Sequence, residues 1–146
     1  MSALRIVLGD EFAFSSDLTS PIWVEIDGIA FPGEDWDDFS YTLLSRWSDA
    51  LLSYTNSSAG FRWDFMDGPY EIDIRRKGDL LALSCLRDDR CQLESECSFD
   101  ELAKALYRGL KQMGYLLHEN GLDEGSTAWI AEDIRARTSR MRELIQ

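Results

Sequence analysis

Phe61 to Ser98 reads FRWDFMDGPYEIDIRRKGDLLALSCLRDDRCQLESECS, and three polar breaks cut it into four runs with apolar residues at every second position. In the first run Phe61, Trp63 and Phe65 alternate with Arg62, Asp64 and Met66, and in the second Tyr70, Ile72 and Ile74 alternate with Glu71, Asp73 and Arg75. Leu81, Leu83 and Cys85 carry the third; Cys91, Leu93, Ser95 and Cys97 oppose Gln92, Glu94 and Glu96 in the fourth. The breaks fall at Asp67-Gly68-Pro69, Lys77-Gly78-Asp79 and Asp88-Asp89-Arg90. Strand side chains point alternately to two faces, so this period of two predicts an antiparallel meander with one solvated face.

Upstream, Leu4 to Leu8 is a short apolar strand closed by Gly9 and Asp10. Ile22 to Phe31 (IWVEIDGIAF) reads as strand, bent into a hairpin at Asp27-Gly28 and stopped by Pro32 and Gly33. Trp36, Phe39, Leu43, Trp47, Ala50, Leu51 and Tyr54 then recur at helical spacing, which predicts an amphipathic helix from Asp35 to about Tyr54, capped by Glu34 or Asp35. Downstream, Ser98-Phe99-Asp100-Glu101 is a capping box opening a helix with Leu102, Leu106, Leu110, Met113 and Leu117 on its buried face, ended by Gly121. A last helix from Thr127 carries Trp129, Ile130, Ile134, Arg137, Met141 and Leu144 along one side. The fold class expected is α+β, one domain over residues 1–146. Its mainly antiparallel sheet, a four-strand meander plus the N-terminal strands, is packed on one face by about three helices.

With 146 residues, 45% of them hydrophobic and 12% aromatic, the chain has the means for one core. Its formal charge of -12 argues against nucleic-acid or anionic-membrane binding and favours a basic partner. The charge is uneven. Residues 1–74 hold fourteen acidic and three basic side chains, a net of -11, whereas 75–146 hold thirteen acidic and twelve basic, a net of -1. The opening MSALRIVLGDEF lacks a signal-peptide run and no segment has the length of a membrane span, so a cytoplasmic protein is expected.

The quoted meander and its neighbours offer little for chemistry. His118, the single histidine, sits near the end of the capped helix, where it suits the last carbonyls, and no nucleophile motif accompanies it. Cys85, Cys91 and Cys97 lie on the inward faces of their strands, without metal-ligand spacing, and are expected to be reduced and buried. Phosphate-binding glycine loops are missing. Asp35, Asp37, Asp38, Asp64 and Asp67 could in principle serve acid-base or metal chemistry, but Asp35 and Asp37 would point about 200° apart on a helix. No catalytic residue, metal or cofactor is therefore expected.

What remains is an excess of acids: Glu34, Asp35, Asp37 and Asp38 occupy four of five positions around Trp36. A helix N-terminus stabilises first-turn carboxylates by roughly 0.3 to 1 kcal/mol each, which explains one or two of them and not four. Clustered carboxylates around an aromatic anchor suit a recognition surface that steers in a lysine-rich or arginine-rich protein. The expected interface comprises Glu34, Asp35, Trp36, Asp37, Asp38, Asp64 and Asp67. A rival reading is a small-ligand or regulatory module with an aromatic pocket lined by Trp23, Trp47 and Trp63.

Gly9-Asp10 after an opening strand, Phe31-Pro32 leading into Trp36 and Phe39, and Gly68-Pro69-Tyr70 opening the meander resemble the small acidic immunity proteins that bacteria make alongside polymorphic or contact-dependent toxins. The resemblance is one of architecture over most of the chain. It implies a non-enzymatic cytoplasmic inhibitor that binds the C-terminal domain of one cognate toxin, the expected toxin being a nuclease with a basic surface.

Overall fold

The computed structural model describes residues 3–9, 19–55 and 59–145. Strand β1 (Leu4–Leu8) pairs antiparallel with β2 (Ser20–Ile26), and β2 turns back into β3 (Ile29–Phe31). Asp27 and Gly28 take positive φ values of 51° and 84°, as a two-residue hairpin turn of the favoured hand requires. Asp10, expected to close β1, lies outside the described residues.

After a cis Phe31-Pro32 bond, the chain returns to β2. Asp37–Asp38 (β4) pair with Pro21 and Ser20, and helix α1 spans Ser40–Leu52. The helix expected from Asp35 thus starts five residues late, and neither Glu34 nor Asp35 caps it. Asp35 has φ of 61°, outside the helical region, and the N-cap is Phe39, whose side chain makes no cap hydrogen bond. Trp36 and Phe39 fell on the helical period by coincidence. A carboxylate at Asp38 that must meet backbone donors from elsewhere holds this segment extended.

The meander forms as read: β5 (Gly60–Asp64), β6 (Tyr70–Lys77), β7 (Leu80–Arg87) and β8 (Arg90–Cys97) pair in that order, all antiparallel. Trp63, Ile72, Ile74, Leu81, Leu83, Cys85 and Cys97 are buried on its inner face. Cys91 is exposed, contrary to expectation. Cys85 faces Leu93 but Leu86 faces Cys91, so one extra residue enters β8 between them and turns Cys91 to the opposite face. Burial pushes the thiols of Cys85 and Cys97 up to about 12, which keeps them protonated and inert.

Helix α2 (Phe99–Glu119) opens on the expected box: Glu101 N donates to Ser98 Oγ at 3.0 Å, and Ser98 N donates to the Glu101 carboxylate at 3.1 Å. It closes at Gly121 (φ 66°), where Leu122 N donates to Leu117 O at 2.8 Å and Gly121 N to His118 O at 3.1 Å. A 3-10 turn (Gly125–Thr127) leads into α3 (Ala128–Ile145), which buries Ile130, Ala131, Ile134 and Met141. Trp129 and Leu144 lie outside that core, and Trp129 only meets the Tyr41 ring edge-on at 5.5 Å. Helix α2 lies directly on β1, where a Cβ on Gly109 would come within 3.2 Å of Ile6.

The described residues form an α+β domain with three α-helices and two four-stranded antiparallel sheets. The N-terminal strands form their own sheet and do not extend the meander. At the seam, Phe31 meets Phe65 and Tyr70 edge to face at 5.8 and 5.7 Å, so side-chain packing takes the place of backbone pairing. One apolar cluster runs through both sheets and all three helices. No helix among the described residues is long and apolar enough to cross a membrane.

Candidate protein-binding surface

The seam between the sheets is organised by one side chain. Asp38 is 1% exposed, and a buried carboxylate is tolerated only when its oxygens are fully hydrogen-bonded. Its Oδ1 accepts from Phe39 N at 2.7 Å, and its Oδ2 accepts from Trp36 Nε1 at 3.0 Å and from Met66 N and Asp67 N, both at 3.1 Å. Asp38 thereby ties the segment before α1 to the β5–β6 connection, 28 residues later in the chain.

That tie sets an aromatic pair beside a groove whose charged residues are mostly acids. Trp36 meets Tyr70 at 5.0 Å, with ring planes 71° apart, over Gly68. Gly68 has φ of 123°, and a Cβ there would stand 3.1 Å from Tyr70 and 3.2 Å from Trp36, so only glycine lets the rings close over it. Asp88 N donates to Pro69 O at 2.9 Å, which brings the β7–β8 turn alongside. Between them lies an open groove of about 540 Å³ lined by Arg46, Asp64, Met66, Tyr70, Glu71 and Asp89 among others. Burial pushes the Glu71 carboxyl up; Arg62, 3.2 Å away, opposes this, and the nearby Asp64 and Asp89 add to it.

Of the residues expected from sequence, Glu34, Asp35, Asp37, Asp64 and Asp67 are exposed and Trp36 is half-buried; Asp64 lines the groove, while Glu34, Asp35 and Asp37 flank Trp36 and Asp67 precedes Gly68 along the chain. Asp38 is a correction: sealed under four donors, it builds the surface and has no face to offer a partner. The sequence reading omitted Met66, Tyr70, Glu71, Asp88 and Asp89. Glu71 and the Asp88-Asp89 turn were legible as solvated positions, but only the Asp88–Pro69 contact shows that the two hairpin ends meet. The turn itself is unusual, since both aspartates take positive φ, 51° and 63°, where Asn-Gly is the unstrained choice.

Trp47 and Trp63 stack at 5.0 Å with planes 9° apart and are fully buried, their rings packed on each other, and Trp23, also buried, lies beside Gly9. Trp47 Nε1 donates to Asp64 O at 3.1 Å, which braces the base of the rim from inside.

Away from the rim, the exposed His118 pairs with Asp123, Nδ1 to Oδ2 at 2.7 Å. The hydrogen bond from this pair raises His118 above its ordinary 6.5 and lowers Asp123 below its ordinary 3.8. A raised histidine favours the fold fully below 6.5 and loses that contribution as pH rises through its folded value. A lowered carboxylate favours the fold above 3.8 and loses it as pH falls, so both act together between these limits. Asp123→Asn should therefore bring the His118 titration down toward 6.5 when followed by NMR, and an unmoved midpoint would mean the pair does not form in solution.

No protein-family model, no curated protein and no solved structure matches this chain.

Proposed function

We propose that this protein is an immunity protein: it binds the C-terminal domain of a cognate bacterial toxin in the cytoplasm and neutralises it by contact, without chemistry of its own. The observation that carries this reading is the rim of exposed carboxylates around the Trp36–Tyr70 pair, assembled from two sheets by the buried Asp38. Unpaired carboxylates at such density repel one another, and a cationic partner relieves the repulsion as it docks. Half-buried aromatics at the centre of a charged ring have the composition of an anchor within a polar rim. The partner best matched is a basic domain, and a nuclease qualifies because its phosphate-binding cleft must be cationic.

The test is association with the toxin domain encoded beside this protein. Reversing Asp37 and Asp67 to lysine should slow association about tenfold at low ionic strength, with the difference shrinking as salt screens the charges. Both side chains are exposed, so folding should be little affected. An unchanged association rate, or a toxin domain that is itself acidic, would remove the proposal.

A further inference from the structure

A second groove reverses the charge of the first. It runs between α2 and α3, has a volume of about 470 Å³, and is walled by Lys111 on one side and Arg135 and Arg142 on the other. Its floor includes Gly114, Ala131 and Ile134, and the His118–Asp123 pair stands at one end. Lys111, Arg135 and Arg142 form no ion pair within 4 Å among the described residues, a property they share with several other surface cations, and Asp123 is the one carboxylate among the described residues lining the groove, where its charge acts on Arg135. Two of these cations are drawn to one ring: Lys111 Nζ lies 5.5 Å and the Arg142 guanidinium 5.9 Å from the centre of Tyr107, and Arg142 Nε donates to the Tyr107 hydroxyl at 3.3 Å. Like charges gathered this way repel, and a bound anion would relieve them.

The floor carries an independent sign. Gly114 lies inside a 21-residue helix, where glycine is a markedly poorer choice than alanine. A Cβ there would meet only Ile134, at an ordinary 3.8 Å, so packing gives no reason to leave it out. What the missing side chain does is keep the groove floor bare.

We propose that this groove is a binding site for a small phosphorylated anion, with Lys111, Arg135 and Arg142 as its charge contacts and Gly114 beneath it. Two arginines and a lysine lining one groove from two helices match a multiply charged phosphate group, since planar guanidinium forks bind phosphate oxygens in pairs. The volume falls within the range of small-molecule sites. The site is separate from the acidic rim and stands whether or not the toxin reading does.

Titration of isotope-labelled protein with pyrophosphate, at ionic strength held constant with sodium chloride, tests it. Saturable NMR shifts should be confined to the α2–α3 groove. Arg135→Ser with Arg142→Ser should weaken the affinity at least about tenfold, while Arg140→Ser, on the same helix but outside the groove, should leave it unchanged. Shifts that do not saturate, or that survive the double substitution, would overturn the site. Equal affinity for citrate would overturn the assignment to phosphate.

Discussion

Replacing Asp38 with alanine should lower the unfolding free energy by about 4 kcal/mol, a large part of what a domain of this size possesses. The loss is not that of one acid. Three backbone N-H groups and the Trp36 indole donate to this carboxylate, and removing it leaves them facing apolar surroundings at the seam between two sheets. Asp38→Asn should cost about half as much, because its amide oxygen still accepts while its NH2 group confronts donors. Urea denaturation measures both. A loss below about 1 kcal/mol for Asp38→Ala would mean that water satisfies the donors and that the rim does not depend on this side chain.

The second large effect lies at Arg137, where alanine should cost about 3 kcal/mol. Arg137 is 13% exposed, with Nε donating to Asp133 at 2.7 Å and Nη1 donating to Ser45 O at 3.0 Å and to Ser48 Oγ and Asp49 at 2.7 Å each. It therefore joins α3 to the outer half of α1, and Tyr41 completes the link by donating to Asp133 at 2.6 Å. Burial pushes the Asp133 carboxyl up, but hydrogen bonds from Tyr41 and Arg137 outweigh it and hold the group below 3.8. A lowered carboxylate stabilises the fold above 3.8 and ceases to do so as pH falls through its folded value. The gap between native protein and Arg137→Ala should consequently narrow in acid. Arg137→Met, which keeps the alkyl stem, should lose less than alanine.

The meander, the capping box at Ser98 and the Asp27-Gly28 hairpin were legible because each rests on local rules: a period of two, reciprocal hydrogen bonds over four residues, and a turn that tolerates positive φ. The start of α1 was not. Trp36, Phe39 and Leu43 satisfy the helical period, and nothing local reveals that Asp38 must accept donors from residues 66 and 67. Cys91 was misplaced for a related reason, since a single inserted residue in β8 inverts the alternation without changing the composition. The acidic surface could be recognised from the crowding of Glu34 to Asp38, yet its extension through Glu71, Asp88 and Asp89 depends on a hairpin contact at Pro69. Asp38 shows the limit most sharply: the same residue type at the same spacing is open to solvent at its neighbours and serves as buried scaffold here.

The Asp88-Asp89 turn separates recognition from folding in a single variant. Asn-Gly at these positions relieves two left-handed aspartates and should raise stability by about 1 kcal/mol, while removing two carboxylates beside the groove. Stopped-flow association of this more stable variant with the proposed toxin partner should be several-fold slower than that of the native protein at low ionic strength, converging with it in high salt. Equal rates under both conditions would show that these carboxylates do not steer a partner, and would contradict a cationic protein as the occupant of this surface.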